Sequence, residues 1–380
     1  MPGPLHGLKI VEVVGLGPSS FTAMMLADMG AEVVRIDRRP KPGVPNPYPV
    51  LGTRYDVMAR GRPSLTLDLK TPEGVAVALD MIAAADALLE GFRPGVMERL
   101  GLGPDACLAR NPRLVYTRVT GWGQTGPLAQ TAGHDINYIA LSGMLAAMGA
   151  PGSPPPPPLN LVGDFGGGGM LAAFGVVCGI LHAQRTGEGQ VVDAAMLDGT
   201  NLLGAMIFGL RSMGGWSLER GRNWIDGAAP YYGCYECADG KYVAIGPIEP
   251  HFFATLLETA GLDPDAFRDV GDIDRWPALR EEMARVFRLR SRAEWCELLE
   301  RTDACVSPVL DVDEAPAHPQ NMARGNFVEV DGVLHAAPAP RFSRAPGAIR
   351  VAEPADPGGV LATWGFPPER IAALRGEGVI

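Results

Sequence analysis

Positive charge is scarce in this sequence. Its 380 residues carry 43 acids against 33 bases, a net charge of −10, and only four of the bases are lysines: Lys9, Lys41, Lys70 and Lys241. A chain of that sign is poorly suited to nonspecific phosphate binding, so no nucleic-acid partner is expected. The apolar run at 166–181 opens on glycines and is short for a bilayer, so no membrane partner is expected either. The six cysteines follow no secreted framework. Cys234 and Cys237 have CxxC spacing, yet no second pair and no paired histidines follow, so no metal site is expected. Alternation through 231–245 reads instead as a strand that half-buries both cysteines. No basic stretch leads into an apolar core near residue 1, and a reducing cytoplasm is the expected location.

What is present is an alternation of strands and helices. LKIVEVVGLG (8–17) reads as a strand, SSFTAMMLADMG (19–30) as a helix that the serines could cap, and AEVVRID (31–37) as a second strand. Strand, helix, strand implies a parallel sheet with a right-handed crossover. GLGPSS lacks the GxGxxG spacing, so the dinucleotide fingerprint is missing. The pattern continues through a helix at 71–85 and strands at 86–92 and 113–123. The expected architecture is α/β, with a large Rossmann-like parallel-sheet domain over 1–190 completed by the 325–380 tail. A linker helix is expected over 191–224 and a small α+β domain over 225–324. Asp239-Gly240 marks a hairpin in the latter. Pro154–Pro158 reads as an extended spacer, and a last helix is expected within 360–375. Ligands in such sheets sit beyond the carboxyl ends of strands, which directs attention to the segments after Asp37, Glu90 and Val119.

Three polar residues stand out from apolar or glycine-rich surroundings: His134 in TAGHDINYIALSG, Asp164 in LNLVGDFGGGG and Glu249 in AIGPIEPHFF. Gly166–Gly169 remove every Cβ from what reads as the first turn of a helix. The expected reason is a ligand oxygen reaching the free first-turn amides beside Asp164, with close packing against a neighbouring element as the alternative. Residues 35–70 hold a local excess of +5, from Arg35, Arg38, Arg39, Lys41, Arg54, Arg60, Arg62 and Lys70 against Asp37, Asp56 and Asp68. Such a patch could meet an anionic small molecule.

GHDINYIALSG, PPLNLVGDFGGG, GQVVDAAMLDG, YECADGKYVAIGPIEP and TDACVSPVL, taken in order, closely resemble the α-methylacyl-CoA racemases of the class III CoA-transferase superfamily. The resemblance implies 1,1-proton transfer at C2 of a 2-methylacyl-CoA thioester, with no cofactor beyond the CoA of the substrate. It implies His134 and Asp164 on opposite faces of the α-carbon, Glu249 as partner of the histidine and Asn160 as partner of the aspartate. It carries CoA contacts to Arg38, Leu67, Asp68, Leu69, Lys70, Gly91, Phe92, Arg93, Arg99, Gly133, Asp135, Ile136, Asn137 and Tyr138. It further implies an interlocked homodimer in which the second chain supplies Glu249. The sequence departs from the family pattern at Arg62-Pro63-Ser64, at Trp224–Ala228, at Pro247 and at His251, which bear on a phosphate contact and on acyl preference. The alternative within the superfamily is a CoA-transferase using Asp164 as nucleophile.

Overall fold

The computed structural model describes residues 2–13, 15, 17–38, 48–351 and 356–380. Two compact units emerge: Met1–Ser142, Pro158–Leu203 and Arg324–Ile380 form the first, and Gly143–Pro157 and Gly204–Ala323 the second.

The first unit is built on six parallel strands: β1 (Lys9–Val13), β2 (Glu32–Asp37), β3 (Ser64–Thr66), β4 (Ala87–Glu90), β5 (Val115–Thr120) and β6 (Gln190–Ala195), in the order β3-β2-β1-β4-β5-β6. Parallel strands covered on both faces are apolar almost throughout, and all six residues of β5 are buried. Alternation divides the core in two. Val11, Val13, Val34, Ile36, Leu88 and Tyr116 face the helix Pro72–Ala83. Ile10, Val33, Ala87, Leu89 and Val115 face the helices Pro18–Asp28 and Leu171–Thr186. The tail completes the first core as expected, through Val360, Leu361, Trp364, Ile371 and Leu374. It does so as two helices, Pro357–Thr363 and Pro368–Gly376, because Gly365 turns left-handed at φ 86° and Pro367 follows.

Three further expectations are corrected. The segment expected to start a linker helix at 191 is instead strand β6, whose main chain pairs with β5 from Val115↔Gln190 to Thr120↔Ala195. The helix that follows breaks at Gly204 into Met196–Leu203 and Ala205–Ser212, and the two units divide there. Ser19 and Ser20 do not cap the first helix; Gly17 occupies that position, and Ser20 bonds to the Gly15 carbonyl at 3.2 Å.

The apolar run begins five residues before its glycines. Leu161–Met170 is a π-helix that opens with Phe165 N–H donating to Asn160 O at 3.3 Å, and it runs on into the α-helix Leu171–Thr186. Together the 26 residues are long and apolar enough to cross a membrane by length and composition, but here they pack on β5, β6 and the helix Pro18–Asp28. Gly166–Gly169 therefore lie inside the winding rather than at its open first turn. Gly167, Gly168 and Gly169 are buried. A Cβ on Gly167 would sit 2.9 Å from Thr200 N, one on Gly168 2.8 Å from Met196 Cγ, and one on Gly169 2.7 Å from Phe21 Cδ1. From the other side, a Cβ on Gly199 would lie 1.9 Å from Gly167 O. Close packing, and not ligand approach, accounts for these glycines.

The second unit carries an antiparallel sheet of β7 (Gly233–Glu236), β8 (Tyr242–Ile245) and β9 (Val306–Pro308). The helices Pro250–Ala260, Trp276–Phe287 and Arg292–Leu299 bury Leu256, Phe287, Trp295 and Leu299 against it. The hairpin turns at Asp239-Gly240 as expected, with Gly240 at φ 73°. Cys237 is buried and Cys234 exposed, so the two cysteines are not equally half-buried. Asp226 organises its loop by accepting the amides of Gly221, Asn223 and Ala228 at 2.9, 3.1 and 3.1 Å.

Gly167→Ala and Gly199→Ala are each expected to lower stability by about 1–3 kcal/mol through overpacking. Gly166→Ala should cost less, since its new methyl meets only Leu161 O at 3.1 Å and the flexible Leu203 side chain at 3.3 Å. Denaturant melts of the three variants check this; equal losses at all three positions would contradict the packing account.

Candidate active site

Strand order reverses between β1 and β4, and their carboxyl ends open a crevice where ligands of such sheets bind. A cleft of about 550 Å³ lies there. Gly17 and Pro18 reach it after β1, Gly91–Pro94 after β4 and Thr120–Trp122 after β5, with His134, Asn160 and Asp164 on its wall. All three segments singled out in the sequence thus line it, the one after Asp37 through Tyr48, Val50, Leu51 and Met58. Arg38, which follows β2, is exposed and outside the lining.

The floor is held by buried charge. Glu90 is fully buried, accepts Phe92 N–H at 2.7 Å and pairs with Arg118 Nε at 2.9 Å, and Arg118 also pairs with Glu98 at 2.8 Å. Burial, only partly offset by the Phe92 amide and Arg118, pushes the Glu90 carboxyl up. On β1, Glu12 pairs with Arg62, both side chains fully buried. The sequence signal for both was a lone acid inside an apolar strand, which pattern reading passed over.

His134 caps the helix Asp135–Leu141, and its amide donates to Asn137 Oδ1 at 3.0 Å. The preceding loop bends back so that the Tyr138 hydroxyl donates to Gly133 O. Tyr138 also meets Trp122 edge-on at 4.8 Å between centroids. Burial, with Asp164 and Asp135 nearby, pushes its hydroxyl up to about 12. Asp164 is half-buried in the first turns of the π-helix, hydrogen-bonded by Asn160. Its carboxyl is raised above the ordinary value, chiefly by burial and next by the charge of Asp135; Asn160 and His134 pull the other way. A Cβ on Gly17 would lie 3.6 Å from Asp164 Oδ2, so the bare backbone after β1 leaves room at that oxygen.

The other expected contacts divide. Gly91, Phe92, Arg93, Gly133 and Tyr138 line the cleft. Ile136, Asn137, Arg99, Asp68 and Lys70 are exposed outside it, while the Leu67 and Leu69 side chains are buried in the core. Asp135 is also buried and outside the lining. Of the eight bases in the +5 region, three are spent internally: Arg35 on Asp37, Arg60 on Asp28 and Arg62 on Glu12. Arg62 is thus no phosphate ligand. Arg39 and Lys41 fall outside the described residues. Glu249 belongs to the second unit, exposed at the head of the helix Pro250–Ala260.

The family model of CoA-transferase family III matches residues 5–357. The chain belongs to CoA-transferase family III. Among curated relatives, it is 43% identical to the α-methylacyl-CoA racemase of Mus musculus over 99% of this chain and 97% of that one. It is 41% identical to that of Homo sapiens, over 99% and 97%. The fold matches that of a CAIB/BAIF family protein from Brucella suis with a TM-score of 0.81, 24% identity and coverage of 96% and 99%.

The raised carboxyl at Asp164 has a thermodynamic sign. Below the ordinary value of 3.8 both folded and unfolded chains hold the proton, and the group costs nothing. As pH rises from there through the raised folded-state value, the unfolded chain releases its proton first and stability is lost. Asp164→Asn should therefore gain stability over the parent progressively above that pH, with a plateau near neutrality. Urea melts across that range check it; a gain that shrinks with rising pH would contradict the assignment.

Proposed function

We propose that this family III protein is a racemase that inverts C2 of 2-methylacyl-CoA thioesters by two-base proton transfer. The observation that carries the proposal is that His134 and Asp164 both line the one cleft at the sheet's switch point, within electrostatic reach of each other. One of them takes the α-proton, a planar enolate forms, and the other returns a proton to the opposite face. A raised Asp164 carboxyl suits this work, because an acid or base acts best when its proton affinity approaches the working pH. Asn160 orients Asp164 through its hydrogen bond, and Arg93 on the cleft wall offers charge to the phosphates of CoA. The chemistry asks for no cofactor apart from the CoA of the substrate.

The proposal includes a homodimer. On the helix Leu171–Thr186 and the residue before it, Met170, Phe174, Val177 and Leu181 form a stripe at helical spacing. They stay 53%, 67%, 40% and 45% exposed, more than a solvated face normally leaves bare. A second copy covering that stripe would supply Glu249 as partner for His134. Unpaired cysteines throughout suit a reducing cytoplasm.

A family III CoA-transferase with Asp164 as nucleophile is the other reading, and family membership is compatible with it. Deuterium wash-in at C2 of a 2-methylacyl-CoA in heavy water separates the two: the racemase exchanges without an acceptor acid, the transferase does not. His134→Ala and Asp164→Ala should each cut exchange at least about a hundredfold. Near-normal exchange in either variant removes that residue from the pair. Arg93→Ala should raise KM for the thioester while leaving kcat largely intact, since a phosphate contact far from C2 serves ground and transition states alike. A fall confined to kcat would place Arg93 elsewhere.

A further inference from the structure

Asp135 directly follows His134 and begins the helix Asp135–Leu141. An acid in a first helical turn commonly stays in solvent and complements the dipole. This one is 5% exposed and turned inward. Its Oδ1 accepts the main-chain N–H of Asp164 at 2.6 Å, across 29 residues of sequence. Its Oδ2 is buried with no hydrogen-bond partner among the described residues. The approach requires a bare neighbour, because a Cβ on Gly163 would lie 2.6 Å from Oδ1. A buried carboxylate with one oxygen unsatisfied is costly, and no packing need explains keeping it.

We infer that Asp135 is a positioning residue: its carboxylate ties the main chain at Asp164 to the turn that carries His134, and so fixes the span across which the proton is handed over. The inference rests on the racemase reading and departs from the CoA contact that the resemblance assigned to Asp135. The carboxylate has a second effect. Its negative charge disfavours another beside it, and so helps Asp164 keep a proton when it must act as the acid. The charges acting on Asp164 from neighbouring elements are Asp135 and His134, with Asn160 bonding from its own winding. The helix Pro18–Asp28 presents Pro18 and Phe21 to that winding, and Asp198 on Met196–Leu203 interacts with Asp193 instead.

Two substitutions separate the effects. Asp135→Asn retains an oxygen for the Asp164 amide and removes the charge; Asp135→Ala removes both. Deuterium wash-in is followed against pH for parent and variants, with a melt of each. In Asp135→Asn the limb of the kcat profile governed by Asp164 should move to lower pH, with KM nearly unchanged. In Asp135→Ala kcat should fall about a hundredfold, as expected for misplacing a reacting group by an ångström. An unshifted profile in Asp135→Asn, or a rise in KM with kcat intact, overturns the inference while leaving the racemase reading in place. Absence of exchange in the parent itself overturns the racemase reading, and this inference with it.

Discussion

The contact between Gly167 and Gly199 is the constraint on which the rest of the cleft depends. No side chain fits between the π-helix and the helix Met196–Leu203 at that point, since even a methyl on Gly199 would fall 1.9 Å from the Gly167 carbonyl. With Gly168 and Gly169 closing on Met196 and Phe21, the winding is clamped on two sides. The clamped element carries Asn160 at its cap and Asp164 three residues inside it. Its wide turn brings the Asp164 amide to Asp135 rather than to a carbonyl of its own helix. Close backbone packing thus sets where the acid stands, and π-winding, uncommon in proteins, sits where chemistry is proposed.

Charge is arranged in two layers around that point. Below the cleft, Glu90, Arg118, Glu98, Glu12 and Arg62 form internal pairs that tie strand ends to their following loops. Removing one partner from such a buried pair leaves the other uncompensated, so these residues are bound to one another as firmly as any apolar core. At the wall, the Asp135 charge raises the proton affinity of both Asp164 and Tyr138, and Asp164 raises that of Tyr138, where burial already does so. The lower layer gives rigidity and the upper one reactivity.

Much of this was legible in the residues. The apolar runs of the parallel strands, the alternation through 231–245, the glycine stops and the Asp239-Gly240 turn placed many of the elements within a few residues. The family motifs pointed to His134, Asn160 and Asp164, which do share one cleft. The misses have physical causes. GQVVDAA is too polar on its exposed side to read as a sheet strand, yet an edge needs only one main-chain partner, and β5 provides it. Gly166–Gly169 were open to two uses, ligand approach or packing, and only the position of the neighbouring helix decides between them. Counting arginines over 35–70 overstated the surface charge because Asp28 and Glu12, remote in sequence, consume two of them. The inward turn of Asp135 could not be read at all, because it depends on Gly163, whose role no spacing reveals.

The return of the tail to the first strand orders events during synthesis. Lys9 Nζ lies 5.2 Å from the Trp364 ring centroid and bonds to Thr363 O at 3.0 Å, and Arg60 reaches Ala336 O at 2.9 Å. The face of the sheet that Val360, Leu361 and Leu374 cover therefore stays bare until this segment has left the ribosome. The second unit, complete by Ala323, is free to fold while its predecessor in the chain is still waiting. The part that holds the cleft, though begun first, is finished last.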